Sequence, residues 1–245
     1  MEQEVVNGWF VLHDMRTFDW EKWRNCSSRE RQSVIREFVQ LLERWEKVQD
    51  RQEGSQMLYS VVGQKADLLL VILRPTMKEL NLAETALAKT RFLDFTKSAN
   101  SYLAAVEKSS FSGEPNKLHD DPEIQKKLRP AVPKMNHICF YPMSKRRGEQ
   151  KNWFTLPIED RKRMMFEHIE TCKKYNQTVK RIITGSSGLD DYEWGISLFA
   201  DDAMAFKNII YDTRFDEVSA VYGLFGPFYI GNRMKTTDME SFFAL

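Results

Sequence analysis

The order of predicted strands and helices repeats once along the chain, and this repeat restricts the fold more than any other feature. Hydrophobic periodicity predicts strand, helix, two strands, helix and strand at 9–13, 28–49, 57–62, 68–73, 77–95 and 101–106. The same order returns at 137–141, 159–175, 178–183, 192–199, 203–211 and 228–230. The tripeptide at 90–92, Thr-Arg-Phe, recurs at 213–215, a matching place in the second copy. The pattern indicates duplication of one β-α-β-β-α-β unit.

Local signals support the individual elements. The first long helix carries apolar residues at helical spacing, namely Val34, Phe38, Leu41, Leu42 and Trp45. Ser27 or Ser28, with a glutamate shortly after, provides an N-cap. Residues 63–67 have the composition of a hairpin turn.

The β-α-β-β-α-β unit is ferredoxin-like, and two such units side by side can form an α+β barrel. We therefore expect an α+β fold made of two fused ferredoxin-like units. The N-terminal half would cover 1–108 and the C-terminal half 134–245. A stretch rich in Pro, Asp, Lys and Gly, at 109–133, would link them.

Composition sets modest bounds on function. Apolar residues make up 42% and charged residues 29% of the 245 residues, as in ordinary soluble globular proteins. A net charge of +1 gives no reason to expect nucleic acid or a membrane surface as a partner. No apolar run approaches a membrane span, and the acidic N-terminus does not resemble a signal peptide. Cys26, Cys139 and Cys172 are widely spaced and predict reduced thiols in a cytoplasmic protein.

His168 is the first candidate functional residue. Met165, His168, Ile169 and Cys172 recur at helical spacing, which places the imidazole within the apolar stripe of its helix. A neutral imidazole in apolar surroundings can ligate the iron of a porphyrin. The alternative is a core histidine that is hydrogen-bonded to a backbone carbonyl.

Tyr141 ends an apolar strand and precedes a cationic loop, 144–151. A redox-capable phenol near a porphyrin rim would complement the histidine, and Lys145 could bind a propionate by a charge-assisted bond. The alternatives are a packing tyrosine and a solvated charged loop. Arg181 alternates with two β-branched residues, so it lies on an exposed sheet face or enters a polar cavity. Trp153 and Trp194 could wall a porphyrin pocket or pack in the core.

Several runs resemble the coproheme decarboxylases, which are dimeric α+β barrels of the chlorite-dismutase-like superfamily. The runs that carry this resemblance are 63–70, 138–147, 152–153, 167–168, 184–186, 190–195, 198–202 and 214–217. The similarity covers nearly the whole chain in order and keeps the spacing from Tyr141 to His168.

The resemblance implies oxidative decarboxylation, with hydrogen peroxide, of two propionates of iron coproporphyrin III (coproheme) to vinyls, which gives haem b. The porphyrin is then both substrate and redox cofactor. It also implies roles for individual residues. His168 would be the axial iron ligand, Tyr141 the radical-forming residue and Lys145 a group that positions a propionate. Further porphyrin contacts would come from Lys127, Met143, Ser144, Trp153, Arg181, Trp194 and Ser219.

Family members are usually homopentamers, so the resemblance also implies a homopentamer, and a transient contact with a coproporphyrin ferrochelatase. Five positions depart from the family pattern. Lys127 replaces an arginine, Phe111 a tyrosine, and Val221 and Leu224 charged residues, while Arg181 occupies a distal position that usually holds glutamine. Chlorite dismutases carry an arginine there. The alternatives are therefore a haem peroxidase or chlorite dismutase, and a non-enzymatic haem-binding barrel.

Overall fold

In this computed structural model the chain is described over residues 5–109 and 121–245. These residues form a mixed α+β fold, so the α+β class predicted from the sequence is confirmed. Its strands and helices are β1 Val5–Phe18, α1 Trp20–Arg24, α2 Ser28–Asp50, β2 Ser55–Val62, β3 Leu68–Arg74, α3 Met77–Ala88, β4 Thr96–Ser109, α4 Pro122–Leu128, β5 His137–Lys145, α5 Ile158–Lys173, β6 Lys180–Gly185, β7 Trp194–Ala200, α6 Met204–Thr213, α7 Glu217–Tyr222, β8 Gly223–Phe225, β9 Tyr229–Met234 and α8 Met239–Phe242. The ferredoxin-like duplication and the barrel stay predictions.

Contacts group the described residues into two compact units. The first unit takes its described residues from within Met1–Gly8, Ala104–Leu128 and Met135–Phe228. The second takes them from Trp9–Leu103, Arg129–Lys134 and Tyr229–Leu245. The predicted halves, 1–108 and 134–245, are each continuous in the sequence, and that division stays a prediction.

The second unit packs helices on an antiparallel sheet. β3 pairs with β1 and β2, and β2 pairs with β9. Every residue of β3 is buried. The predicted apolar face of α2 is buried in the core of this unit, and Ser27 forms a capping box with Glu30. The sequence signals for α2 are therefore confirmed.

The helix predicted over 77–95 is shorter in the structure. α3 ends at Ala88, Thr90 is extended, and a 3-10 turn covers Arg91–Phe95. The Thr90 hydroxyl donates a hydrogen bond to the carbonyl of Leu87 at 2.7 Å, which satisfies one of the last helical carbonyls. The break lets Phe92 stack on Phe38 of α2, with ring centroids 3.9 Å apart.

The first unit contains the antiparallel sheet β5–β7–β6. β6 also pairs with the end of β4, and the end of β5 pairs with β8. α5 packs against α6 and α7. α4, inside the predicted linker, and α7 have no counterpart in the predicted elements.

The strand predicted to end at Tyr141 continues to Lys145. β5 pairs with β7 as far as Met143 and then with β8, where Lys145 lies opposite Gly223. β8 is only three residues long, so its pairing could not be recognised from local periodicity. The predicted cationic loop is therefore wrong at its first two residues, because Ser144 and Lys145 belong to the strand.

Candidate functional site

One face of the β5–β7–β6 sheet gathers several of the predicted site residues. Successive side chains of a strand point to opposite faces, so Tyr141, Met143 and Lys145 share one face of β5. Ser144 lies on the opposite face by the same alternation. The structure thus brings together three of the four residues predicted on this strand.

The strand register adds two more predicted residues to this face. Met143 pairs with Trp194, and partners in an antiparallel sheet share a face. Arg181 of β6 and Cys139 of β5 pair with the same residue of β7. Because Cys139 lies two residues before Tyr141, Arg181 is on the same face, one row of pairs away.

Helix α5 brings His168 to these strands. The positive charges of Lys145 and Arg181 both help to lower the pKa of the imidazole, which places all three groups within electrostatic range. Cys172, one turn further along the helix, is close enough to Tyr141 to affect the pKa of the phenol. The apolar stripe of α5 is half-buried along its length, whereas the stripe of α2 is buried. The stripe of α5 therefore remains accessible to a bound group.

Asp216 holds the imidazole of His168. Its Oδ2 lies 2.8 Å from Nδ1 of His168, and its Oδ1 accepts a hydrogen bond from Thr171 at 2.8 Å. Asp216 is 4% exposed and sits at the start of α7. A carboxylate on Nδ1 favours the tautomer that is protonated there, which leaves the lone pair on Nε2.

Burial keeps this imidazole neutral. Desolvation lowers the pKa of His168 below its usual value of 6.5, although the hydrogen bond to Asp216 acts in the opposite direction. A neutral ring with its lone pair on Nε2 is the form that ligates a metal. The Sγ of Cys172 lies 3.6 Å from Nε2, and Arg181 lies close enough to this thiol to hydrogen-bond it.

Lys145 is a buried cation. Its side chain is 9% exposed, and burial lowers the pKa of the ammonium to about 8. Nζ lies 5.0 Å from the centroid of the Trp153 ring. Within residues 5–109 and 121–245 no carboxylate forms an ion pair with Nζ. A desolvated ammonium without a bound carboxylate is suited to receive an anion.

Tyr141 is a buried phenol. Its ring stacks on Phe228, with centroids 4.4 Å apart, and contacts Phe225 at 5.9 Å. Burial raises the pKa of the phenol well above its usual range, while the charges of Arg214 and Arg181 act to lower it. The residue is therefore a neutral phenol at any physiological pH.

The two tryptophans of the site are held differently. Trp153 is buried and packs with Met164 and Tyr222. The indole N–H of Trp194 donates to Glu107 Oε1 at 2.8 Å. Glu107 lies over Gly185, where an added Cβ would come within 1.9 Å of the carboxylate. A glycine at this position therefore leaves room for the Glu107–Trp194 contact.

The remaining predicted residues lie around this group or outside it. Ser219 is buried in α7, one turn after Asp216. Lys127 is exposed in α4, and its charge acts on Lys108. Phe111 lies outside the described residues.

Sequence reasoning missed Asp216 and Glu193. Asp216 stands 48 positions after His168, and Glu193 48 positions after Lys145, so no local spacing connects either pair. Both acids lie within runs that carry the family resemblance, and both are buried. That location is the one signal in the sequence that could have pointed to them.

In the described parts of the chain, no group of three or more His, Cys, Asp or Glu residues is arranged to hold a metal ion. No helix among these residues is both long enough and apolar enough to cross a membrane.

Comparison with known proteins places the chain in a family. The chlorite dismutase family matches residues 31–234. A structure described as a novel haem-binding protein from Thermus thermophilus shares 39% sequence identity, over 100% of this chain and 98% of that one, with a TM-score of 0.95. The chlorite dismutase of Candidatus Nitrospira defluvii in complex with imidazole shares 20% identity over 98% of this chain and 96% of its own, with a TM-score of 0.78. The chain belongs to the chlorite dismutase family.

Proposed function

We propose that this protein is an oxidoreductase that binds iron coproporphyrin III and decarboxylates two of its propionates to vinyl groups. Hydrogen peroxide is the oxidant and haem b is the product. Membership of the chlorite dismutase family and similarity to a haem-binding protein support the proposal that the chain binds an iron porphyrin. The side chains of the candidate site support the decarboxylation.

The donor set around His168 fits an iron porphyrin. Burial and Asp216 together favour a neutral imidazole with its lone pair on Nε2. Nε2 would hold the iron, and Asp216 would orient the ring from behind, as carboxylates hydrogen-bonded to metal-bound histidines do. The half-buried apolar stripe of α5 would lie against the macrocycle and exclude water.

The buried ammonium of Lys145 is the feature that most directly supports the proposed function. A buried ammonium is costly unless an anion compensates it, and the described residues give Nζ no carboxylate partner. Lys145 shares its face of β5 with Tyr141, four residues away. A propionate bound to Lys145 would therefore lie beside a buried phenol.

Tyr141 would carry the hydrogen transfer. Because burial raises its pKa far above neutrality, Tyr141 would be oxidised from the neutral phenol, losing one electron and its proton to form a tyrosyl radical. That radical would take a hydrogen atom from the propionate side chain and return to the phenol. When bound, the iron porphyrin supplies oxidising equivalents from hydrogen peroxide. Each propionate loses carbon dioxide together with one hydrogen atom and one further electron, the equivalent of a hydride, while one hydrogen peroxide takes up these and a proton and is reduced to two molecules of water.

Arg181 favours a second candidate, a haem peroxidase or chlorite dismutase. Its charge acts on both Tyr141 and His168, so it borders the same site. Asn176 accepts a hydrogen bond from its guanidinium. A guanidinium that borders the site can stabilise an anionic intermediate.

Spectroscopic titration distinguishes these candidates. Iron coproporphyrin III and haem b are added separately, the Soret band is followed, and the coproporphyrin complex is then titrated with hydrogen peroxide. We expect the coproporphyrin complex to convert to haem b, identified by mass spectrometry, in wild type and in Arg181→Gln. The second candidate would be favoured if the protein binds haem b and breaks added chlorite down to chloride and oxygen, but does not convert iron coproporphyrin III to haem b. Binding without either reaction would indicate a non-enzymatic haem-binding protein.

A further inference from the structure

Glu193 is a buried carboxylate that holds the end of β5. Its side chain is 8% exposed, and its Oε2 accepts a hydrogen bond from the backbone N–H of Lys145 at 2.7 Å. The backbone N–H of Glu193 donates to the carbonyl of Met143 at 3.1 Å. Two hydrogen bonds therefore connect this residue to the segment that presents Lys145.

The second oxygen of Glu193 is also engaged. Oε1 accepts a hydrogen bond from Nη2 of Arg147, whose guanidinium also lies 4.7 Å from the Phe154 ring. The side chain of Arg147 is 66% exposed, so water screens much of this ion pair. One buried carboxylate is thus shared between a surface guanidinium and the Lys145 segment.

Glu193 also acts on the ammonium of Lys145 through space. Desolvation lowers the pKa of Lys145 to about 8, and the negative charge of Glu193 acts to raise it. Among the described residues, His168 on α5 also interacts electrostatically with this ammonium, and desolvation favours its neutral imidazole. The negative charge of Glu193 therefore opposes the loss of a proton from the ammonium of Lys145.

We propose that Glu193 is a positioning residue that fixes Lys145 on its strand and maintains its side chain as a cation for a substrate carboxylate. This inference rests on the proposed function only for the identity of the carboxylate. Both oxygens of the Glu193 carboxylate are engaged within the protein, so this residue would act through Lys145 and not by binding the porphyrin itself. With a propionate bound, the cations Lys145 and Arg147 would face two carboxylates, so the charges of the cluster would balance.

Competitive labelling of the porphyrin-free protein tests the electrostatic part. Trace acetic anhydride is applied across a pH series, and acetylation of Lys145 is measured by mass spectrometry in wild type and Glu193→Gln. The amide oxygen of glutamine can still accept the hydrogen bond from the Lys145 N–H, so we expect the variant to fold. The apparent pKa of Lys145 should fall from about 8 in wild type by about one in the variant.

Two further variants make the outcome decisive. Arg147→Gln removes a cation that competes for Glu193, so the apparent pKa of Lys145 should rise, the opposite direction. Glu159→Gln removes an exposed carboxylate that pairs with Lys162, and should leave Lys145 unchanged. Equal midpoints for Lys145 in wild type, Glu193→Gln and Arg147→Gln would overturn the proposal. Arg147→Gln also decides the question if Glu193→Gln does not fold.

Binding of iron coproporphyrin III gives a second readout. If the pKa of Lys145 falls by about one, its charged fraction at pH 8 falls from about one half to about one tenth. Affinity of Glu193→Gln should then match wild type at pH 6 and be about fivefold weaker at pH 8. An equal loss at both pH values would contradict the electrostatic role. If wild type itself does not bind this porphyrin, the proposed function fails, while the labelling result still decides the role of Glu193.

Discussion

At the scale of single residues, the buried ammonium of Lys145 lowers the free energy of unfolding. Its folded pKa of about 8 is below the ordinary value of 10.5, so the unfolded chain binds more protons between these values. Stability should therefore rise as the pH increases from 8 to 10.5, and the full penalty should apply below pH 8. Such a penalty is common where binding, and not folding, requires a residue.

Lys145→Met should stabilise the porphyrin-free protein. Removing the buried charge should raise the free energy of unfolding at pH 7 by on the order of 1–3 kcal/mol. It should also remove the rise in stability above pH 8. Urea denaturation across a pH series checks both effects, with the exposed Lys173→Met as the control. A less stable Lys145→Met protein would show that the ammonium is compensated within the fold.

Asp216→Asn tests the support of His168. The amide can still accept from Nδ1, but it lacks the negative charge that increases the donor strength of Nε2. We expect a lower iron–histidine stretching frequency in resonance Raman spectra and about 10- to 100-fold weaker porphyrin binding. Asp212→Asn, on the preceding helix, removes a carboxylate that binds Tyr175 and serves as control. An unchanged stretching frequency would show that Asp216 does not influence the bond between His168 and the iron.

At the scale of elements, local sequence patterns predict those features of helices and strands that depend on residues close together in the sequence. The N-cap and apolar face of α2 depend on spacings of three and four residues, and these predictions are confirmed. The extent of β5 depends on β8, about eighty positions away, and it was predicted too short. The family resemblance identifies Lys145 as a candidate site residue. Its position on a strand beside Glu193 depends on long-range pairing, so local sequence patterns do not predict it.

Gly185→Ala tests the packing of β4 against β6. The new Cβ would come within 2.5 Å of Cδ of Glu107, so the carboxylate must move away from Trp194. We expect a loss of about 1–3 kcal/mol in stability, from crowding and the lost hydrogen bond, and altered tryptophan fluorescence. Gly148→Ala, whose Cβ would meet its nearest atom at 3.3 Å, is the control. Equal stability of the two variants would show that Glu107 relaxes freely.

At the scale of the whole molecule, the family assignment agrees with the chlorite-dismutase-like superfamily that the sequence resemblance implies, and the coproheme decarboxylase branch stays a proposal. The α+β class followed from the repeated order of strands and helices. The grouping into two contact units did not, because each unit takes residues from three separate segments of the chain. Long-range contacts of this kind leave no periodic signal in the sequence.

The oligomeric state is a prediction at this scale. We expect a homopentamer from the family resemblance. Large apolar side chains exposed in the first unit, Phe166 at 64% and Phe215 at 71%, would suit subunit contacts. Native mass spectrometry should give about five times the 28.9 kDa of one chain. A monomer at micromolar concentration would contradict the prediction.

The chemical fate of iron coproporphyrin III in Tyr141→Phe tests the central claim most directly. The phenylalanine ring can still stack on Phe228, so the porphyrin should bind, but the phenolic hydrogen is gone. After addition of hydrogen peroxide, mass spectrometry should show haem b from wild type and from the control Tyr211→Phe, whose tyrosine is exposed. Tyr141→Phe should yield unreacted substrate and slowly bleached porphyrin. Formation of haem b by Tyr141→Phe at the wild-type rate would contradict the account.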